Sequence, residues 1–188
     1  MKILLLVVCV LLSAAGCAIR HPDHFYVLQP QPPDVGRSEA RIARQVALRV
    51  TLPSLVDRAQ MVLATPEGVA VIEHERWAAP LVDLMTTALR QDIERRRADA
   101  VVSPHGFESG IPLVKLDVDV VQLSARRGMQ VSMETQWRMT DTATGKVSLG
   151  RDLIVAPVDS DSYAAVAAAL SSCVGLLADR LAKEIPAG

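Results

Sequence analysis

Residues 129–141, MQVSMETQWRMTD, decide the fold because polar and inward-facing side chains alternate along their whole length, the pattern of a strand with one buried face. The positions on the inward face are Val131, Met133, Thr135, Trp137 and Met139. The preceding stretch 112–123, PLVKLDVDVVQL, alternates too and changes parity at Val121, which indicates a β-bulge. Residues 146–155, KVSLGRDLIV, form a return strand after a turn at 142–145. Three strands joined by short turns predict an antiparallel meander.

Shorter strands are predicted earlier in the chain. QVALRVTLP at 45–53 alternates and predicts a half-buried strand. QMVLAT at 60–65 and VAVIEH at 69–74 flank the turn-prone residues 66–68 and predict a hairpin. VVSP at 101–104 predicts one further short strand.

Two segments have apolar residues at helical spacing instead. The first runs from Trp77 to about Arg96, with Pro80 tolerated in its first turn. Its end carries three arginines, residues 95–97, where the helix dipole favours cations. A solvated helix end is the plain interpretation of that triplet, and a contact to a headgroup or a partner is the functional one.

The second predicted helix runs from Ser162 to Ile185, with Ser160 or Asp161 as its cap and Pro186 after its end. Cys173 lies within its apolar stripe and is interpreted as a small buried hydrophobic residue.

The order of elements, strands then helix then strands then helix, lacks a regular βαβ alternation. It predicts an α+β fold, a mostly antiparallel sheet with two long amphipathic helices packed on one face. We expect residues 45–188 to form this single domain.

The N-terminus has the layout of an export signal. Lys2 precedes the apolar run from Ile3 to Leu12, and LSAAGCA at 12–18 places small residues before Cys17. The run is too short for a membrane-spanning helix, which needs roughly 20 residues. We expect residues 1–16 to be cleaved as a lipoprotein signal peptide, because the Ala-Ala-Gly-Cys ending resembles a bacterial lipobox, in which the cysteine becomes the lipidated first residue.

The following segment, residues 17–44, is expected to be the lipidated N-terminus and a Pro-rich tether. Within it, residues 25–30 are a candidate strand. Once Cys9 leaves with the signal and Cys17 carries lipid, Cys173 has no intramolecular partner, so no disulfide framework is expected.

The composition of the chain argues against nucleic-acid binding. The formal net charge is −1, with 20 Lys and Arg against 21 Asp and Glu, and aromatic residues make up 3% of the chain. Nucleic-acid binding needs clustered basic residues, so no nucleic-acid partner is expected.

Catalytic motifs are also scarce. His21 and His24 lie in a Pro-rich segment without neighbours to orient them as metal ligands. His74 lacks the second histidine of a zinc-protease helix, and no G-x-S-x-G elbow is present. We expect no enzyme activity, no cofactor and no metal.

Two stretches combine residue types in an order that the packing of a hydrophobic core alone does not require. VTLPSLVDRAQMV at 50–62 places Pro53 at a strand end and Asp57-Arg58 before the next strand, where the plain interpretation is a turn with a local ion pair. In HERWAAPLVDLM at 74–85, Trp77 would staple the start of a helix onto the sheet.

Together with Cys17, the stretch FYVLQP at 25–30 and the C-terminal helix, these stretches resemble the ABC-type transport auxiliary lipoprotein family, which accompanies the paraquat-inducible MCE-protein system and related ABC lipid-transport systems. The resemblance implies a non-catalytic, periplasm-facing lipoprotein, attached to the outer membrane through Cys17. Its implied partners are an MCE-domain inner-membrane protein with its ABC permease and ATPase, and a homo-oligomer is left open. The implied family-marker or partner-contact residues are Tyr26, Leu28, Pro30, Pro53, Asp57, Arg58, Arg76, Trp77 and Pro80.

Two alternatives remain open beside docking. A lipid carrier would hold its cargo in a cavity lined by the apolar faces around Met129 to Met139. An unrelated envelope lipoprotein or hydrolase would need a cleft with a perturbed Ser, His and Asp.

Overall fold

The computed structural model of the protein describes residues 21–31, 41–105, 111 and 113–187. The predicted signal peptide, Cys17 and residues 32–40 of the predicted tether lie outside the described residues. The strands are β1 (His24–Tyr26), β2 (Arg44–Thr51), β3 (Gln60–Thr65), β4 (Gly68–Trp77), β5 (Ala100–Ser103), β6 (Leu113–Arg126), β7 (Gln130–Asp141) and β8 (Val147–Pro157), and the helices are α1 (Leu81–Arg96) and α2 (Tyr163–Glu184).

The α+β class is confirmed, and the meander is its largest unit. β6, β7 and β8 pair antiparallel in consecutive order. The register of β6 shifts between Val120 and Gln122, at the predicted bulge. Beyond that shift Ala125 is buried where Val121 is exposed, because the bulge returns the strand's side chains to the inner face.

The mostly antiparallel pairing is confirmed by β3–β4, β6–β7 and β7–β8, and the structure adds two features that the prediction lacked. The strands divide into a five-stranded sheet of order β5-β2-β6-β7-β8 and a three-stranded sheet of order β1-β4-β3. Both sheets are mixed, because β2 runs parallel to β5 and β6, and β1 runs parallel to β4. Alternating polarity reports which face of a strand is buried, but it does not report the direction of the neighbouring strand.

Both helices cover one face of the five-stranded sheet and contact each other. Their apolar stripes meet the inward faces of β2, β6 and β7, where Val46, Val114 and Met133 are fully buried. Cys173 is also fully buried, and burial raises the pKa of its thiol to about 11. The predicted role of Cys173 as a core residue is confirmed.

The predicted helix starts are too early, by four residues for α1 and by one residue for α2. α1 begins at Leu81, because Trp77 is still the last residue of β4 and pairs with Tyr26. For α2 the cap is Ser162, whose hydroxyl accepts a hydrogen bond from the Ala165 N–H at 3.1 Å.

The arginines at the end of α1 make internal bonds. Arg97 donates to both carboxylate oxygens of Asp99, at 2.8 and 2.9 Å, and to the Ala182 carbonyl at 3.2 Å. Arg96 forms an ion pair with Asp179 of α2. Two of the three arginines therefore join the C-terminal ends of the helices, and only Arg95 is exposed.

Among the described residues, α2 alone is long and apolar enough to cross a membrane by length and composition. Its buried stripe, however, packs against the sheet and α1. In this fold it is a core helix.

Candidate functional site

The residues on either side of β1 form a tightly bonded polar rim. The Tyr26 hydroxyl donates to Glu75 Oε2 at 2.6 Å, and His24 Nδ1 lies 3.0 Å from Glu75 Oε1. Burial and the Glu75 carboxylate raise the pKa of Tyr26 to about 12. Asp23 lies 3.0 Å from His74 Nδ1. These bonds hold β1 on the edge of β4.

No metal centre is built from these groups within the described ranges, where no cluster of three or more His, Cys, Asp or Glu has the arrangement of a metal site. His21 and His74 approach each other through their rings, with centroids 5.7 Å apart. Their neighbourhood is a rim of paired charges on the outside of the small sheet.

Residues 24–31 form what we call the N-terminal strap, which runs from β4 across α2 to α1. Leu28 is buried in the core. The Gln29 N–H donates to Ser171 Oγ at 3.0 Å, and the Gln31 carbonyl accepts from Arg96 Nη1 at 3.2 Å. The strand predicted within residues 25–30 is shorter and begins one residue earlier: β1 covers His24–Tyr26 as an edge strand of this domain, and residues 27–30 lie outside it.

The loop between β2 and β3 provides the cap for the start of α1. The Pro53 carbonyl accepts from the N–H groups of Val56 and Asp57, at 3.0 and 3.1 Å. This turn points the Asp57 carboxylate at the start of α1, where it accepts from the Val82 N–H at 3.2 Å. Pro80 at the N-cap provides no side-chain acceptor, so Asp57 caps the helix from a distant loop.

The residues predicted as family markers thus separate into two groups. Leu28 and Trp77 are buried in the core, and Tyr26 and Asp57 bond within the domain. Those with exposed or half-buried side chains are Pro30, Pro53, Arg58, Arg76 and Pro80. In this second group, Arg76 pairs with Asp23, with its Nη1 3.9 Å from Asp23 Oδ2.

Trp137 and Gly150 were missed as a pair. The Trp137 indole occupies the space where a Cβ at position 150 would lie. Its Nε1–H donates to Asp152 Oδ2 at 3.0 Å, and Asp152 forms an ion pair with Arg180 of α2. A glycine directly opposite a tryptophan on the neighbouring strand indicates such a contact. The sequence alone does not show that the two residues are opposite, because this requires the strand register.

A row of exposed aliphatic side chains lines the outer face of β8, one of the two edge strands of the large sheet in the described part of the chain. We call it the β8 row; its members are Val147, Leu149, Leu153 and Val155, with exposed fractions between 46% and 68%. The signal in the sequence is LIV at 153–155, which supplies apolar residues to both faces where one buried face needs only every second position.

An open groove of about 620 Å³ lies between the β3–β4 hairpin, the β6–β7 turn and the start of α2. Its lining residues are Leu63, Ala64, Thr65, Pro66, Ala70, Ile72, Arg126, Arg127, Met129 and Tyr163. The cavity inside the core is much smaller, at about 20 Å³. The inward faces of β7 expected to line a carrier's cavity are packed instead, since Val131 and Met133 are fully buried.

Comparison with known proteins places this architecture. A crystal structure of an uncharacterized protein superposes with a TM-score of 0.71 at 15% identity, covering 88% of this chain and 100% of the other. The crystal structure of XCC0632 from Xanthomonas campestris, assigned to the DUF330 family, gives a TM-score of 0.64 at 18% identity, covering 84% and 92%.

At these identities the two superpositions show the shared fold. No curated protein matches the sequence. The model of the ABC-type transport auxiliary lipoprotein component family matches residues 26–182, from β1 to the last turn of α2. The chain belongs to the ABC-type transport auxiliary lipoprotein family.

Proposed function

We propose that the protein is a non-catalytic docking lipoprotein, which holds the MCE-domain assembly of an inner-membrane ABC transporter at the outer membrane. In this role it faces the periplasm and serves the transport of lipid or another hydrophobic cargo. The observation that carries the proposal is the β8 row at the free edge of the large sheet.

The β8 row combines two properties of a protein-binding surface. Its four aliphatic side chains lie on one exposed face of a single strand, in two pairs separated by Arg151, which forms an ion pair with Glu134 of β7. Exposed apolar surface rimmed by polar residues marks interaction sites. The edge beside it has backbone N–H and C=O groups that a partner strand would pair with. Strand addition would therefore take its affinity from the backbone and its specificity from the row.

Membrane attachment is proposed through Cys17. Two or more acyl chains hold a protein stably on a membrane. The stretch from Ala18 to His24 reaches at most about 25 Å at some 3.5 Å per residue, so the domain would lie close to its membrane. Ala18, in place of the Asp associated with inner-membrane retention, supports the outer membrane as the site.

The test is a pull-down from envelope membranes with the full-length protein, followed by mass spectrometry of the bound proteins. The variant Leu149→Asp/Leu153→Asp places two charges in the β8 row. The matched control Val69→Asp/Leu176→Asp changes two aliphatic residues of 53% and 45% exposure outside it.

We expect the native protein and the control to recover an MCE-domain protein, and the β8 variant to lose it while keeping its melting temperature. Recovery of the same partner by the β8 variant would reject this surface. If the native protein recovers no MCE-domain protein, docking itself is rejected. A change in the size of the protein's own assembly, with the partner retained, would assign the row to self-association instead.

A further inference from the structure

The groove between the β3–β4 hairpin and the β6–β7 turn is apolar along its walls. Leu63 of β3, Ile72 of β4 and Met129 of the β6–β7 turn contribute apolar surface to these walls. Met129 is 60% exposed at the margin, and methionine is a flexible side chain that adapts to irregular apolar ligands. A volume of about 620 Å³ lies within the range of small-molecule sites, about 300–1,000 Å³.

The charged side chains that line the groove are all positive. Arg126 and Arg127 are the charged side chains in the lining, and no ion pair forms on either of them within the described part of the chain. The Arg127 guanidinium carbon lies 4.6 Å from the centroid of the Tyr163 ring, which holds this cation beside the groove. Asp161 lies against Gly128 of the same turn but does not line the groove.

We propose that this groove binds an anionic amphiphile, with the acyl chain along the apolar walls and the oxyanion head between Arg126 and Arg127. Guanidinium groups match carboxylate and phosphate oxygens through paired N–H donors. Apolar walls with a few convergent polar groups are the general composition of a ligand site. The proposal deepens the transport role above and names the chemistry of what the domain itself contacts.

The test uses the full-length protein in nanodiscs of phosphatidylcholine, which has no net charge. Three photo-crosslinking probes share one diazirine-bearing acyl chain and carry a carboxylate, a phosphate monoester or a trimethylammonium head. Mass spectrometry of the digested protein locates the labelled residues. The variant Arg126→Gln/Arg127→Gln is compared with Arg49→Gln/Arg138→Gln, whose two arginines lie exposed on the open face of the large sheet.

We expect at least one anionic probe to label the groove walls, with the yield falling roughly tenfold in the Arg126→Gln/Arg127→Gln variant and unchanged in the matched control. The trimethylammonium probe should label the groove only at background. Labelling by the carboxylate probe alone identifies a fatty-acid-like ligand, and labelling by the phosphate probe alone identifies a phospholipid-like one.

Three results would overturn the proposal: equal labelling by the cationic probe, labelling confined to residues outside the groove, or an unchanged yield without the two arginines. Since all four replaced arginines are exposed, equal melting temperatures should show that the variants fold alike. The assay contains no partner protein, so its failure leaves the pull-down result standing, and a failed pull-down leaves the labelling standing.

Discussion

At the scale of single residues, Asp57 shows how a conspicuous sequence position receives a structural explanation. In the sequence it reads as half of a local ion pair with Arg58. In the structure its carboxylate accepts from the Val82 N–H, and no ion pair with Arg58 forms among the described residues. A side chain that caps a helix 25 positions away cannot be identified from local spacing, because capping patterns are recognised within a few residues of the helix start.

We expect Asp57→Ala to lower the free energy of unfolding by about 1 kcal/mol, the usual contribution of a helix cap. Asp57→Asn should retain most of it, because the amide oxygen also accepts. Urea unfolding measures both, with Arg58→Ala as the control on the same loop. An equal loss in Arg58→Ala would contradict the capping role.

Asp92 on α1 is fully buried. Burial raises its pKa to about 6, against the opposing charge of Arg96, whose Nη1 lies 3.7 Å from Asp92 Oδ1. The unfolded carboxyl has an ordinary pKa of 3.8, so between these values the folded state binds the extra proton. The stability that Asp92 provides is therefore complete below about pH 4 and is lost as the pH rises through 6.

We expect the free energy of unfolding to fall by up to about 3 kcal/mol between pH 4 and pH 7 from this residue. Asp92→Asn should flatten that slope, whereas Asp83→Asn, exposed on the same helix, should keep it. Glu75, Asp99 and Asp141 have lowered pKa values, so the stability they provide is lost as the pH falls, in the opposite direction to the effect of Asp92. Parallel curves for native protein and Asp92→Asn would contradict the prediction.

At the scale of elements, the sequence correctly predicts features that depend on a single strand or a single helix. The alternation of 129–141, the parity change at Val121 and the stripe around Cys173 all reappear in the structure. The parallel pairing of β2 and the separate small sheet were not readable, because both depend on which distant strand lies alongside.

The strap depends on a glycine in α2. A Cβ at Gly175 would lie 2.7 Å from the Gln31 Cβ, closer than side chains pack. Helix propensity alone makes Gly→Ala stabilising by about 1 kcal/mol. In Gly175→Ala we expect this gain to be cancelled as residues 28–31 move away from the helix.

Hydrogen–deuterium exchange should then rise in residues 28–31 and stay low in α2 of the Gly175→Ala variant. Ser172→Ala, a half-buried position on the same helix, is the matched control. Unchanged exchange in the strap together with a higher melting temperature would show that the strap tolerates the added methyl group.

At the scale of the whole molecule, the candidate surfaces were the least predictable part. The groove collects residues from β3, β4, the β6–β7 turn and α2, which lie as much as 100 positions apart in the sequence. The β8 row becomes a surface only because β8 is an edge strand whose outer face no other described segment covers. Of the residues predicted as family markers, four hold the fold together through burial or internal hydrogen bonds: Leu28, Trp77, Tyr26 and Asp57.

The N-terminal strap also determines how a pulling force on the N-terminal end of the chain would enter the domain. Tension on the chain before His21, directed along β1, would enter the domain through three residues that run parallel to β4. In that direction the strand's hydrogen bonds are sheared together instead of being unzipped one at a time. The tension would reach Leu28 and Gln31 only after the hydrogen bonds between β1 and β4 had broken. In a protein tethered from this end, β1 would therefore separate from β4 before the tension reached the helices or the large sheet.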